Sequence, residues 1–201
     1  YQSTDRGMTW SLKSNGLTDL FVNVIDIKPG GANVLFAGTQ NKGVFISSDG
    51  GENWSQSNTG LAPTSFDDST DFAVGEEQGF TDNPAYDWMD PIDRESLMVS
   101  EKDRDSDRAA AYLNVNTFSF DPGNPEKMIA GTNGAGVKIS DNAGGSWSAS
   151  NLTSGYIKDS FTDPYVGANF YYIGLADSSV KVSNSSRQDW VNRNNGFHSS
   201  A

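Results

Sequence analysis

The sequence predicts an all-β protein made of repeated four-stranded antiparallel units. One short pattern, S-x-D-x-G-x-x-W, occurs four times, and three short strand-like runs precede each of the last three copies. The tryptophans that end the four copies are separated by 44, 93 and 43 residues. Because periods of about 40 to 45 residues are typical of β-propeller blades, we predict propeller blades with an extra stretch of residues in the middle gap.

The four copies, called boxes below, differ in completeness. The first and second keep every position of the pattern, Asn142 replaces the Asp in the third, and Ser185 and Arg187 replace the Asp and Gly in the fourth. We predict structural roles for Ser3, Asp5, Gly7 and Trp10; Ser47, Asp49, Gly51 and Trp54; Ser140, Asn142, Gly144 and Trp147; and Trp190.

Runs rich in β-branched and aromatic residues supply three predicted strands per unit, and a Pro follows the first run of each unit. No stretch of twelve or more residues in these runs keeps a helical period. The segment after each box adds a fourth strand, which completes one blade. The predicted strands are 22–27, 34–39 and 44–47; 115–120, 128–132 and 137–140; and 156–161, 170–175 and 180–183.

Each box is interpreted as the hairpin turn before the fourth strand. Its Asp can accept hydrogen bonds from backbone N–H groups of the turn, and its Gly can take a positive φ. The Trp then folds back as an apolar plug whose indole N–H needs a partner. Asn142 can make part of the Asp interactions, whereas Ser185 and Arg187 cannot keep the same turn, so the fourth box should have the loosest turn. The tryptophans expected to be buried in similar surroundings are Trp10, Trp54 and Trp147.

These residues resemble the Asp-box (BNR) repeats of sialidase-type propellers. The string VF-x-S-x-DGG-x-x-W followed by NTGL, here residues 44–54 with 58–61, is similar to repeats of xyloglucanase-like glycoside hydrolases, sortilin-type receptors and photosystem assembly factors. The resemblance covers the chain outside residues 62–111. It implies structural boxes remote from the central pocket and an extracellular, cell-surface or periplasmic location. It leaves the function open, because one fold hosts many activities.

Length and composition set the organisation of the chain. We predict a half blade plus a first full blade in residues 1–61, an acidic insertion in 62–111, a second full blade in 112–155 and a third in 156–201. Because six to eight blades of this period need about 270 to 350 residues, we expect an incomplete part of a larger propeller. The sequence contains no run of 18 apolar residues, so no membrane span is predicted. The absence of Cys excludes disulfides and thiol chemistry.

The insertion at residues 62–111 holds −10 of the net charge of −12. An acidic surface repels phosphate backbones, so we expect no nucleic-acid partner. The insertion is either a solvated acidic loop or a calcium site at Asp103, Asp105 and Asp107, because carboxylates at alternate positions can converge on one hard cation. The match to an EF-hand ends there, since Arg108 replaces the turn Gly. The candidate binding residues, which offer surface for sugar stacking, are Tyr86 and Trp88.

No catalytic residue is assigned. Sialidases use an arginine triad and an FRIP-like motif that are not found here, and spacing alone selects no pair of acid and base among 26 carboxylates. The single His198 has no partner in a recognisable motif. Two functions stay open: a non-catalytic extracellular or cell-surface scaffold or recognition module that binds protein or glycan, and a fragment of a polysaccharide-active glycoside hydrolase. We favour the first, because diagnostic enzyme residues are not found.

Overall fold

The computed structural model describes residues 1–31, 33–62, 113–164, 170–177 and 179–194. In these ranges no helix is long and apolar enough to cross a membrane. All nine predicted runs form strands, and a short strand follows each of the last three boxes, which confirms the all-β prediction. The strands are β1 Val22–Ile27, β2 Leu35–Thr39, β3 Val44–Ser47, β4 Ser55–Gln56, β5 Val115–Phe120, β6 Met128–Gly134, β7 Val137–Ser140, β8 Ser148–Ala149, β9 Gly155–Asp163, β10 Phe170–Leu175, β11 Val180–Ser183 and β12 Val191–Asn192.

The strands form three antiparallel units in chain order, which we call blade 1 (β1–β4), blade 2 (β5–β8) and blade 3 (β9–β12). Within each blade every strand pairs with the next one along the chain. Blades 2 and 3 also meet where the end of β6 pairs with the start of β9. The sheet order therefore confirms blades of four antiparallel strands.

The first strand of each blade carries a β-bulge at an equivalent position, occupied by Asn23, Asn116 and Lys158. A bulge leaves one residue outside the ladder, so its side chain is free to reach sideways. Asn23 Nδ2 donates to Val115 O at 3.1 Å, and Asn116 Nδ2 donates to Ile157 O at 2.8 Å. These bonds tie the first strands of blades 1 and 2 to the first strand of the next blade.

Apolar side chains fill the space between successive blades. Phe36 of blade 1 meets Phe118 and Phe120 of blade 2 edge-on, with ring centroids 5.8 and 5.3 Å apart. Ile25 and Ile27 have the register positions of Phe118 and Phe120 but are exposed, because they lie on the face of blade 1 turned away from blade 2. The buried cluster between blades 2 and 3 consists of Ile129, Val137, Ile139, Ile157, Tyr171 and Ile173.

Candidate functional site

The second box closes its turn with hydrogen bonds to two side chains. Ser47 Oγ donates to Asp49 Oδ1 and accepts from the Gly51 N–H, both at 2.8 Å. Asp49 Oδ1 accepts from the Asn53 N–H at 2.9 Å, and Asp49 Oδ2 accepts from Asn53 Nδ2 at 2.7 Å. The Asn53 side chain, followed by the Asn53 backbone N–H and Ser47, lowers the pKa of Asp49 to about 2. The carboxylate is therefore a structural part of the turn.

The first and third boxes repeat this arrangement with one chemical change. Thr9 donates to both oxygens of Asp5, from its N–H at 2.9 Å and from Oγ1 at 2.6 Å, and its side chain is the main cause that lowers the pKa of Asp5 to about 2. Asn142 Oδ1 likewise accepts from the Ser146 N–H at 2.9 Å, but Asn142 Nδ2 donates to Ser146 Oγ at 3.0 Å. In each of the three boxes, the residue four positions after the Asp or Asn therefore supplies the side chain that hydrogen-bonds with it.

The Trp of one box docks onto the segment that follows the preceding box. Trp54 Nε1 donates to Lys13 O at 3.1 Å, and Trp147 Nε1 donates to Ser57 O at 3.0 Å. Each acceptor lies three residues after the preceding box Trp. Both tryptophans are buried. The carbonyls that accept from their backbone N–H groups, each at 2.8 Å, are Asn15 and Thr59.

Gly16 and Gly60 make this docking possible. Their φ angles are +80° and +75°, and a Cβ on them would lie 2.2 Å from Trp54 O and 2.1 Å from Trp147 O. A side chain at either position would therefore push the next box away. The equivalent position before the fourth box, six residues after Trp147, is Thr153.

Trp10 is not buried, so this prediction was wrong: the residue is 62% exposed. Its Nε1 donates to Gly7 O of its own turn at 3.0 Å. A box Trp is covered by the segment that follows a preceding box, and none of the described residues takes that place beside Trp10. The box alone therefore shapes the turn without burying its Trp.

The fourth box forms a different turn. Arg187 replaces the box Gly and keeps a positive φ of 58°, and its N–H donates to Asn184 O at 2.9 Å. With Ser185 in place of the acid, the box supplies no carboxylate to Ser183, and Ser183 Oγ is buried without a hydrogen-bond partner among the residues that the structure describes. The serine that closes the other three turns is thus unused here.

The Arg187 side chain reaches from blade 3 into blade 2. The residue is 4% exposed, and its guanidinium donates to Ser140 O at 2.8 Å and to Met128 O at 3.3 Å. It also forms an ion pair with Asp141. At the same place between blades 1 and 2, Gly144 is packed close to the Phe36 ring. Between blades 2 and 3 these bonds of Arg187, called the Arg187 clamp below, thus replace the apolar contact that Gly144 makes with Phe36 between blades 1 and 2.

Four buried polar atoms of the described residues make no hydrogen bond within the protein, and all four belong to blade 3. One such atom costs about 1 to 3 kcal/mol. Four of them would therefore approach the whole stability of a domain, about 5 to 15 kcal/mol. The atoms are Tyr171 OH, Ser183 Oγ, Arg187 Nε and Trp190 Nε1.

A second candidate surface lies where the first strands of the blades begin. Three residues occupy equivalent positions there: Phe21, Asn114 and Tyr156. The backbone carbonyl of each accepts a hydrogen bond, at 2.8 to 3.0 Å, from the N–H of a residue at the end of the blade's second strand or just after it. Phe21 is 68% exposed, Tyr156 is 55% exposed, and Leu20, the chain neighbour of Phe21, is also exposed. We call Leu20, Phe21, Asn114 and Tyr156 the strand-start edge.

Hydrogen bonds hold the backbone of this edge in place. Asp19 accepts from the Phe21 N–H at 3.0 Å and from the Asn41 N–H at 2.8 Å. Burial alone would raise the pKa of Asp19, but these two N–H groups together with the side chains of Thr39 and Asn41 outweigh it, and the pKa lies below its usual value. Gly43 N–H donates to Leu113 O at 2.8 Å. The loop before β1 and the chain entering β5 are thus both fixed to the β2–β3 turn.

The Asp26 carboxyl is half-buried. Burial raises the pKa of Asp26 on β1, and the Ile27 N–H, which donates to Asp26 Oδ1 at 2.7 Å, offsets part of this rise. Across the described ranges, no three or more side chains of His, Cys, Asp or Glu are grouped to hold a metal ion.

The sites predicted in the insertion, Asp103, Asp105, Asp107, Tyr86 and Trp88, lie outside the described residues, as does His198. The calcium and sugar-stacking hypotheses therefore stay predictions.

Sequence reasoning missed the strand-start edge and the Arg187 clamp. The sequence signals for them were an aromatic residue at the start of two first strands and an Arg at a turn position that requires a positive φ.

Comparisons with known proteins agree with this architecture. The BNR/Asp-box repeat family matches residues 45–56, which contain the whole second box. The GH74 enzyme of Niastella koreensis is similar in structure, with a TM-score of 0.52 and 13% identity over 87% of this chain and 21% of that chain. The GH74 xyloglucanase of Xanthomonas campestris has a TM-score of 0.48 and 15% identity over 84% and 21% of the two chains. Curated protein sequences give no significant match. The chain thus spans about a fifth of the length of these enzymes, and such identities show the fold alone.

Proposed function

We propose that this Asp-box β-propeller chain is a non-catalytic recognition module that binds a protein or glycan partner in an extracellular, cell-surface or periplasmic setting. The strand-start edge carries this proposal. Phe21 is 68% exposed and Tyr156 is 55% exposed. Hydrogen bonds hold the backbone of both residues in place. Aromatic side chains presented by a rigid scaffold are where binding energy concentrates in interfaces.

The boxes themselves are poor candidates for ligand binding. The Asp49 carboxylate already accepts from Ser47 and Asn53, and Asp5 from Ser3 and Thr9. A ligand that took these oxygens would have to open the turn. Recognition is therefore assigned to residues outside the boxes, and the acidic balance of the chain disfavours a nucleic-acid partner.

Paired substitutions on the edge test this proposal. The variant Phe21→Ala/Tyr156→Ala should lose about tenfold or more in retention on immobilised polysaccharides, including xyloglucan, or in cross-linking to surface proteins, because two anchors are removed. Phe161→Ala is the matched control, since Phe161 is exposed on the same strand as Tyr156 but outside the edge. Equal retention of the parent protein, the double variant and Phe161→Ala would reject the edge as the binding surface.

A fragment of a polysaccharide-active glycoside hydrolase is the second candidate. The structural similarity to a GH74 enzyme and the raised pKa of Asp26 support it. Such hydrolysis uses two carboxyl groups, of which Asp26 would be the acid. Release of reducing ends from xyloglucan by the chain, abolished in Asp26→Asn, would replace the non-catalytic proposal by this one.

A further inference from the structure

We propose that the interface between blades 2 and 3 is a hydration site, in which bound water bridges Tyr171 OH, Ser183 Oγ and Arg187 Nε. All three atoms are buried and make no hydrogen bond to any residue that the structure describes. The residues themselves are at most 4% exposed. Buried polar groups in folded proteins are almost always paired with protein or with ordered water.

Sequence and register bring the three residues into one neighbourhood, since Ser183 and Arg187 belong to the fourth box. Tyr171 and Ser183 are direct partners in the β10–β11 register, so their side chains leave the same face of the sheet side by side. The charge of Arg187 acts on the Tyr171 hydroxyl, as do the charges of Asp121 and Asp141. Trp190, whose Nε1 is also unpaired, packs against the cluster that contains Tyr171.

The other blades lack this polar set at the equivalent positions. Leu35 and Met128 take the register position of Tyr171, and neither has a polar hydrogen-bonding group. The box serines Ser47 and Ser140 are paired within their own turns. The site is thus a property of the fourth box and its surroundings.

Water fits this donor set better than an anion. Arg187 Nε can only donate, whereas the hydroxyls of Tyr171 and Ser183 can donate or accept. A water molecule both accepts and donates, so it can serve all three, and buried waters typically make about three hydrogen bonds. An anion only accepts, and the two carboxylates of Asp121 and Asp141 outnumber the single positive charge of Arg187.

A double-mutant cycle tests the bridge. Urea unfolding should show that Tyr171→Phe and Ser183→Ala each lower the midpoint, and that the losses in the double variant are less than additive, with a coupling of about fivefold in the unfolding constant. Each change removes a single oxygen, so the fold should persist. Tyr172→Phe, on the opposite face of the same strand, and Ser185→Ala, which is exposed, are controls expected to change little. A Tyr171→Phe variant as stable as the parent, or more stable, would overturn the proposal.

NMR gives a second, independent measurement. The Arg187 Nε–H should show a cross-peak to long-lived bound water, and this cross-peak should weaken in Ser183→Ala. Its absence in the parent protein would refute a bound water. A midpoint that rises with sodium chloride, but not with sodium gluconate at equal ionic strength, would identify a small anion instead and would also overturn the proposal.

Discussion

Gly60 is the residue on which the docking of the third box depends, so its substitution is the sharpest test of the repeat-to-repeat contacts. In Gly60→Ala the new Cβ would lie 2.1 Å from Trp147 O, and the contact atom is backbone that cannot rotate away. Gly30→Ala is a matched control, because Gly30 has a nearly identical φ of +73° but a Cβ added there would meet nothing within 4 Å. The pair separates backbone strain from the clash.

The expected losses follow from three contributions. A positive φ costs a non-glycine residue about 1 to 2 kcal/mol, and both variants carry this cost. Gly60→Ala also displaces the hydrogen bonds from Trp147 N–H to Thr59 O and from Trp147 Nε1 to Ser57 O, each contributing about 1 kcal/mol. We therefore expect a loss of about 3 to 4 kcal/mol for Gly60→Ala and about 1 to 2 kcal/mol for Gly30→Ala.

Urea unfolding followed by tryptophan fluorescence measures this difference, because Trp147 is buried in the folded protein. The slope of free energy against urea should stay the same, so that a shift in midpoint reports stability. Equal losses in the two variants would refute the reasoning, since they would show that the approach of Gly60 to Trp147 contributes nothing beyond the φ angle.

Other expectations concern the core and the boxes. Phe36→Ala should cost about 3 to 5 kcal/mol, because the ring is fully buried between blades 1 and 2; the exposed Phe161→Ala should change stability by less than about 0.5 kcal/mol in the same urea assay. Asp49→Asn should lower the melting temperature, since Asn53 Nδ2 would then face an amide donor, and adding Asn53→Ser should restore it by recreating the pair of the third box; a double variant below the single would contradict this. The pKa values of Asp5 and Asp49 are about 2 against an ordinary value of 3.8 for an Asp carboxyl, so their contribution is complete above pH 3.8 and is lost as the pH falls through 2. Melting curves against pH should therefore be flatter in this window for Asp49→Asn, and an unchanged slope would argue against the depressed pKa.

The parts of the fold that could be predicted from the sequence depend on local interactions. The strand runs are recognisable by their β-branched and aromatic residues, and the box bonds of Asp49 span only two to four residues. A pattern of eight residues is therefore enough to specify the turn. The repeated strands and boxes, at a fixed period, then predict the blades.

The parts that could not be predicted depend on contacts between repeats. The indole of Trp147 donates to a carbonyl 90 residues earlier in the chain, and the exposure of Trp10 reflects the lack of such a neighbour among the described residues. The Arg187 clamp reaches back 47 residues to Ser140 O. No local sequence pattern indicates such contacts between residues far apart in the chain. For the same reason, the exposure of Phe21 and Tyr156 became visible only once the strands were placed side by side.

The docking of Trp54 and Trp147 onto the segments that follow the preceding boxes also bears on how this chain can be divided into pieces. A blade counted by its strands ends after its box, but such a cut separates Trp54 from Lys13 O and Trp147 from Ser57 O. The piece that keeps these partners together begins just after one box and ends with the next Trp, one strand out of step with the sheet. Because a cut at that Trp in turn separates β4 from β3, no single repeat of this chain keeps all of its contacts within itself.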